Sequence, residues 1–222
     1  RYYPGVLPDL LPPLLVAGTL ANTNADRWVR DTWQGDVRGE TGNDISRVFL
    51  RVGDAAQNKV SLPIYSVTMI AAGYSGYESH DSPAATWGAR SLRANILGGP
   101  QAFILTYALG SHRPNVGKSN WDPMNDNDGV SGHTFYGAVP FLTAAHMAED
   151  NAWRYTLYAL SMMPGLSRVN DNQHYTSQAV MGWSLAWLAT RTIASNGAKP
   201  ETFAVSPVLL PDGGYVFINW RF

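Results

Sequence analysis

Three short groups of residues in the second half of the chain have the types and order that phosphate chemistry requires. Arg113-Pro114 comes first, Ser131-Gly132-His133 follows, and Ser167-Arg168 is separated from His174 by five residues. Arg113 and Arg168 offer planar, permanently charged forks that match phosphate oxygens, which a lysine meets only as a point charge. Ser131 stands where a helix is expected to begin, because GHTFYGAVPFLTAAHMAED places Phe135, Val139 and Leu142 at helical spacing. Amides at such a start have no intrahelical partner and lie at the positive end of the macrodipole, so Gly132 and His133 would face an oxyanion. His174 and Gln178 lie four apart on a predicted helix, DNQHYTSQAVMGWSLAWLATRTIA, whose inward stripe continues through Met181, Leu185 and Leu188.

This order resembles the type 2 phosphatidic acid phosphatase (PAP2) superfamily, which includes bacterial acid phosphatases, lipid phosphatases and vanadium haloperoxidases. The family pattern reads KxxxxxxRP, PSGH and SRxxxxxHxxxD. This chain keeps Arg113-Pro114, Ser131-Gly132-His133 and the Ser167, Arg168, His174 set at the family spacing. The resemblance implies that His174 attacks phosphorus while His133 protonates the leaving oxygen and later activates water. It also implies that Arg113, Arg168, Ser131 and the Gly132 amide hold the equatorial oxygens, in a scheme without a metal or other cofactor. Taken alone, His133 reads as a helix-start residue and His174 as a hydrogen-bonded core histidine; their joint order with two arginines and two serines favours the phosphate pocket.

Three positions depart from the pattern. Thr106 replaces the lysine, so one positive charge is missing, and Arg90, Arg93 or Lys118 are the candidates to replace it. Gln178 replaces the aspartate behind the nucleophile; an amide in that role costs about 10⁴ in kcat when it imposes the wrong tautomer. Gln178 can still accept the Nδ1 hydrogen, leaving Nε2 to attack. Val130 replaces the proline before Ser131, a position that shapes the turn and supplies no reacting group.

Two further readings stay open on these residues. A vanadate held in the same pocket would make a haloperoxidase, although Thr106 counts against it because those enzymes also use the lysine. The losses at 106 and 178 would also suit a non-catalytic relative that binds phosphorylated ligands or a protein partner.

Other motifs carry less. Asp122, Asp126, Asp128 and Gly129 fail the calcium-loop template, since Met124 and Phe135 fall at its first and last ligand positions; a solvated loop whose Asp126 or Asp128 guards the pocket mouth is expected instead. Ser79, His80 and Asp81 are adjacent and so diverge on any regular element, and GYSGY misses the nucleophile elbow. His112 borders Arg113, while His80 and His146 read as structural or exposed. Trp121, Phe135, Tyr136 and Tyr175 either line an apolar part of the pocket or pack in the core.

The elements that must position these groups are helices. Helices are expected at 44–57, 62–75 and 85–110, the last broken at Gly98-Gly99-Pro100, then at 132–149, 151–163 and 172–195, after an extended, proline-rich start. Short spacers favour an antiparallel bundle, so the fold class is all-α, of the PAP2 acid phosphatase type. The tail alternates around Asp212-Gly213-Gly214 and predicts a small β-hairpin capping the bundle.

Composition bounds the partners. The 222 residues suit one domain over 1–222, and 16 basic against 17 acidic residues give a net charge of −1, so no global field draws nucleic acid or an anionic membrane. Absent cysteine excludes disulfides and thiolate metal sites. No apolar stretch reaches the roughly 20 residues of a membrane span, and no signal peptide is visible at Arg1. The expected partner is a small-molecule or lipid phosphate, and the resemblance implies a periplasmic or secreted location.

Overall fold

The computed structural model describes residues 6–57, 64, 67, 83–196, 203–210 and 213–220. Seven helices occupy most of them: α1 Val6–Asn22, α2 Ala25–Thr32, α3 Glu40–Gln57, α4 Pro83–Leu109, α5 Gly132–Met147, α6 Asn151–Asn170 and α7 Thr176–Asn196. A π-helical turn, Trp33–Val37, extends α2, and a single 3₁₀ turn, Pro114–Val116, follows Arg113. The expected helix at 62–75 lies almost wholly outside the described residues, as do Ser79, His80 and Asp81.

The middle of the molecule is α5, which packs on α3, α4, α6 and α7, while α1 lies along α7. Its burial extends round most of the helix, through Thr134, Phe135, Ala138, Val139, Leu142 and Ala145, as a central helix requires. Ala94 and Ala102 of α4 and Met181, Leu185, Ala186 and Ala189 of α7 complete the core around it. Each large apolar side chain withdrawn here contributes about 1.5–3 kcal/mol.

Proline and glycine signal breaks at three places where tertiary packing carries the helix through. The start is helical and not extended: α1 contains Pro12 and Pro13, and Leu10, Leu14 and Ala17 bind it to the core. Helix α4 runs unbroken through Gly98, Gly99 and Pro100. The glycines there permit close approach, because a Cβ at Gly98 would lie 2.7 Å from the Phe135 ring and 3.0 Å from Ala189 Cβ. Helix α6 continues past Pro164 to Asn170, which puts Ser167 and Arg168 in its last turn and a half. Pro164 is buried against Gly137 of α5. In contrast, α7 starts only at Thr176, so His174 lies in the preceding bend and not on the helix.

Phe203–Leu210 and Gly213–Trp220 are antiparallel strands, β1 and β2, paired from Phe203 with Trp220 to Leu210 with Gly213. The fold is that of a helical bundle, and the expected hairpin cap on it is not supported.

Candidate active site

The bend before α7 is held by Gln178 in that helix's first turn. Its Oε1 accepts the Tyr175 amide at 3.0 Å, as a glutamine three residues inside a helix does when it reaches back to the cap residue. The same oxygen lies 2.8 Å from His174 Nδ1. The amide group of Gln178 donates to Ser111 Oγ at 3.1 Å and to the His112 carbonyl at 2.9 Å. A backbone amide can only donate and a carbonyl can only accept, so the side-chain amide of Gln178 has one orientation. Its oxygen therefore faces Nδ1, Nδ1 carries the hydrogen, and the lone pair of His174 is on Nε2. Asp26 of α2 adds a second cap, accepting the Ser177 amide at 3.0 Å.

His174 is 5% exposed, and its pKa is pushed down to about 3. Burial is the main cause, the charges of Arg168, Arg113 and His133 add to it, and the bond to Gln178 opposes it. The imidazole is thus neutral through the physiological range.

Ser131 is the N-cap of α5, its Oγ accepting the Thr134 amide at 3.4 Å and the Thr134 hydroxyl at 2.9 Å. The Ser131 amide donates to the Gln178 carbonyl at 3.0 Å, which ties the start of α5 to the start of α7. This junction is close enough to require glycine at 182, where a Cβ would stand 2.4 Å from the Ser131 carbonyl oxygen. Gly132 and His133 are the first two residues of α5, and their amides point out of its N-terminus.

Arg168 is 9% exposed, and its Nε has no hydrogen-bond partner among the described residues. Burial and the neighbouring Arg113 lower its pKa, with Asp54 and Asp171 opposing. Arg113 is half exposed and gives its Nε to Asp128 Oδ1 at 2.9 Å. Asp126 pairs with His112 in the same loop. Two cations, an N-terminus and two imidazoles therefore converge: Arg168 and Arg113 are the cations that bear on both His133 and His174.

The proposed replacements for the missing lysine lie elsewhere or outside this set. The Thr106 hydroxyl donates to the Ala102 carbonyl at 2.8 Å in its own helix and contributes no charge. Lys118 lines a separate hollow with Arg27, His112, Asn120, Trp121 and Asp122. Arg90 acts on His146, and Arg93 lies on α4. The Ser167 hydroxyl donates to the Pro164 carbonyl at 2.7 Å, within its own helix.

One residue of the cluster was not foreseen. Asp54 of α3 places Oδ1 2.7 Å from His133 Nε2. No spacing rule links positions 54 and 133, because the pair is made by two helices packing; only the neighbouring Gly53, which lets α3 approach His133 to within 3.6–3.8 Å of where a Cβ would be, hints at the contact.

The PAP2 superfamily model matches residues 89–199, half of the chain, and the chain belongs to this superfamily. That membership supports a phosphatase-type activity in general. Among solved structures, the chain is similar to a transmembrane PAP2 type phosphatidylglycerolphosphate phosphatase from Bacillus subtilis. Identity is 15%, the TM-score is 0.67, and the match covers 89% of this chain and 98% of that one. At this identity the likeness is one of fold. No curated protein matches the chain. Among the described residues, no helix is long and apolar enough to cross a membrane.

Proposed function

We propose that the protein hydrolyses organic phosphate monoesters, of a lipid or another alcohol, through a phosphohistidine at His174. The observation that carries this reading is the neutral, buried His174, fixed by Gln178 with its Nε2 lone pair free, beside a buried Arg168 whose Nε has no partner among the described residues. Phosphoryl transfer asks chiefly for such positioning and neutralised charge.

Nε2 of His174 attacks phosphorus, the P–N bond forms, and the bond to the leaving oxygen breaks as His133 supplies a proton. Water then attacks the phosphohistidine, giving a proton to His133, and inorganic phosphate leaves as the P–N bond breaks. Arg113, Arg168, the Ser131 hydroxyl and the Gly132 amide hold the equatorial oxygens. No step uses a metal, and an exported setting belongs to the same proposal.

Single-turnover hydrolysis of an aryl phosphate and of a phosphatidic acid, with rapid quenching to trap phosphohistidine, tests the reading. Wild type should turn over and His174→Ala should lose at least about 10³-fold, on the scale of removing a covalent nucleophile. Vanadate should inhibit and should raise the melting temperature, since a ligand at 100 times its Kd stabilises by about 2.7 kcal/mol. Anion binding without turnover would overturn it in favour of a non-catalytic binder, and halide oxidation by the vanadate-loaded protein would make it a haloperoxidase.

A further inference from the structure

We infer that Asp54 is the positioning residue for the acid–base imidazole, so that the carboxylate missing behind His174 is present instead behind His133. The inference rests on the phosphatase reading for its kinetics but on geometry for its origin. Oδ1 of Asp54 and Nε2 of His133 are 2.7 Å apart, and their side chains are 46% and 23% exposed. Asp54 lies on α3, outside the residues 89–199 that the family model matches. A carboxylate at this distance accepts the Nε2 hydrogen, fixes the ring plane, and holds the neutral ring as the Nε2–H tautomer. Nδ1 is then the nitrogen that gives a proton to the leaving oxygen and takes one from water.

The surroundings of His133 explain why such support is needed. Burial first, then Arg168 on α6 and, more weakly, Arg113 in the loop before the 3₁₀ turn disfavour its protonated form, with His174 also nearby; Asp54 is the group that opposes them. The cations that grip the substrate thus work against the general acid, and a carboxylate on the far nitrogen offsets them.

The test compares wild type, Asp54→Asn and Asp54→Glu on an alkyl phosphate, whose leaving oxygen needs a proton, and on 4-nitrophenyl phosphate, whose leaving oxygen needs much less. Asp54→Asn should lower kcat on the alkyl ester by about 10–100-fold, a part of the roughly 10²–10⁴ that a positioned general acid–base group contributes, and on the aryl ester by clearly less. The limb where activity falls as pH rises should move to lower pH in Asp54→Asn and return in Asp54→Glu. Equal losses on both esters with an unmoved limb, or no loss on either, would overturn the inference.

Independently of any variant, the nitrogen shifts of His133 in the wild-type protein should report the Nε2–H tautomer; the Nδ1–H tautomer would overturn it. If wild type hydrolyses neither ester, the phosphatase reading fails, and the tautomer alone decides the role of Asp54.

Discussion

Gln178 makes four hydrogen bonds and is fully buried, with an obligate donor, Tyr175 N–H, on its oxygen and an obligate acceptor, the His112 carbonyl, on its nitrogen. A carboxylate at this position would turn one oxygen toward that carbonyl. Gln178→Glu is therefore expected to lower the stability by about 1–3 kcal/mol through the repelled, unsatisfied pair, read as the midpoint of denaturant unfolding at pH 7. Gln178→Ala should cost at least as much and should also release the His174 tautomer, measured as a loss of turnover larger than the loss of substrate binding. Gln178 is thus matched by neighbours that need both its acceptor and its donor.

At the scale of elements, the site is a junction of helix ends: the start of α5, the bend into α7 and the last turns of α6. Gly182 sets how closely α7 approaches Ser131. Gly182→Ala must push these elements apart, because the obstructing atom is a backbone oxygen 2.4 Å away. The expected cost is about 1–3 kcal/mol of stability, the range for overpacking, with weaker vanadate binding by calorimetry because the Gly132 amide moves with Ser131. An unchanged melting temperature would contradict this tight junction. Spacing rules located α5 and α7, whose Phe135, Val139, Leu142, Met181, Leu185 and Leu188 are all buried. They failed at Pro12, Pro13, Pro100 and Pro164, where the lost backbone bonds are outweighed by packing that local sequence does not express.

For the whole molecule, the buried imidazoles set the response to acid. The folded His174 stays neutral down to about pH 3, whereas the unfolded residue takes up a proton near its usual 6.5. Stability is therefore complete above about pH 6.5 and falls as pH drops toward 3, because the unfolded state binds more protons there. His133 and His146, also lowered, act in the same direction. Asp26, raised by burial, acts in the opposite sense. Melting temperatures between pH 7 and pH 4 should fall, and His174→Asn, which keeps a donor where Nδ1 stands, should flatten the slope.

The sequence by itself determined the helical class, the family, and the identity and order of Arg113, Ser131, Gly132, His133, Arg168 and His174, because motif spacing and helical periodicity are local properties of the chain. Only the tertiary structure decided that His174 sits in a bend capped by Gln178, that Lys118 belongs to another hollow, and that Asp54 reaches His133. Each of these depends on which helix faces which, and that is set by burial and close packing between residues far apart in the chain.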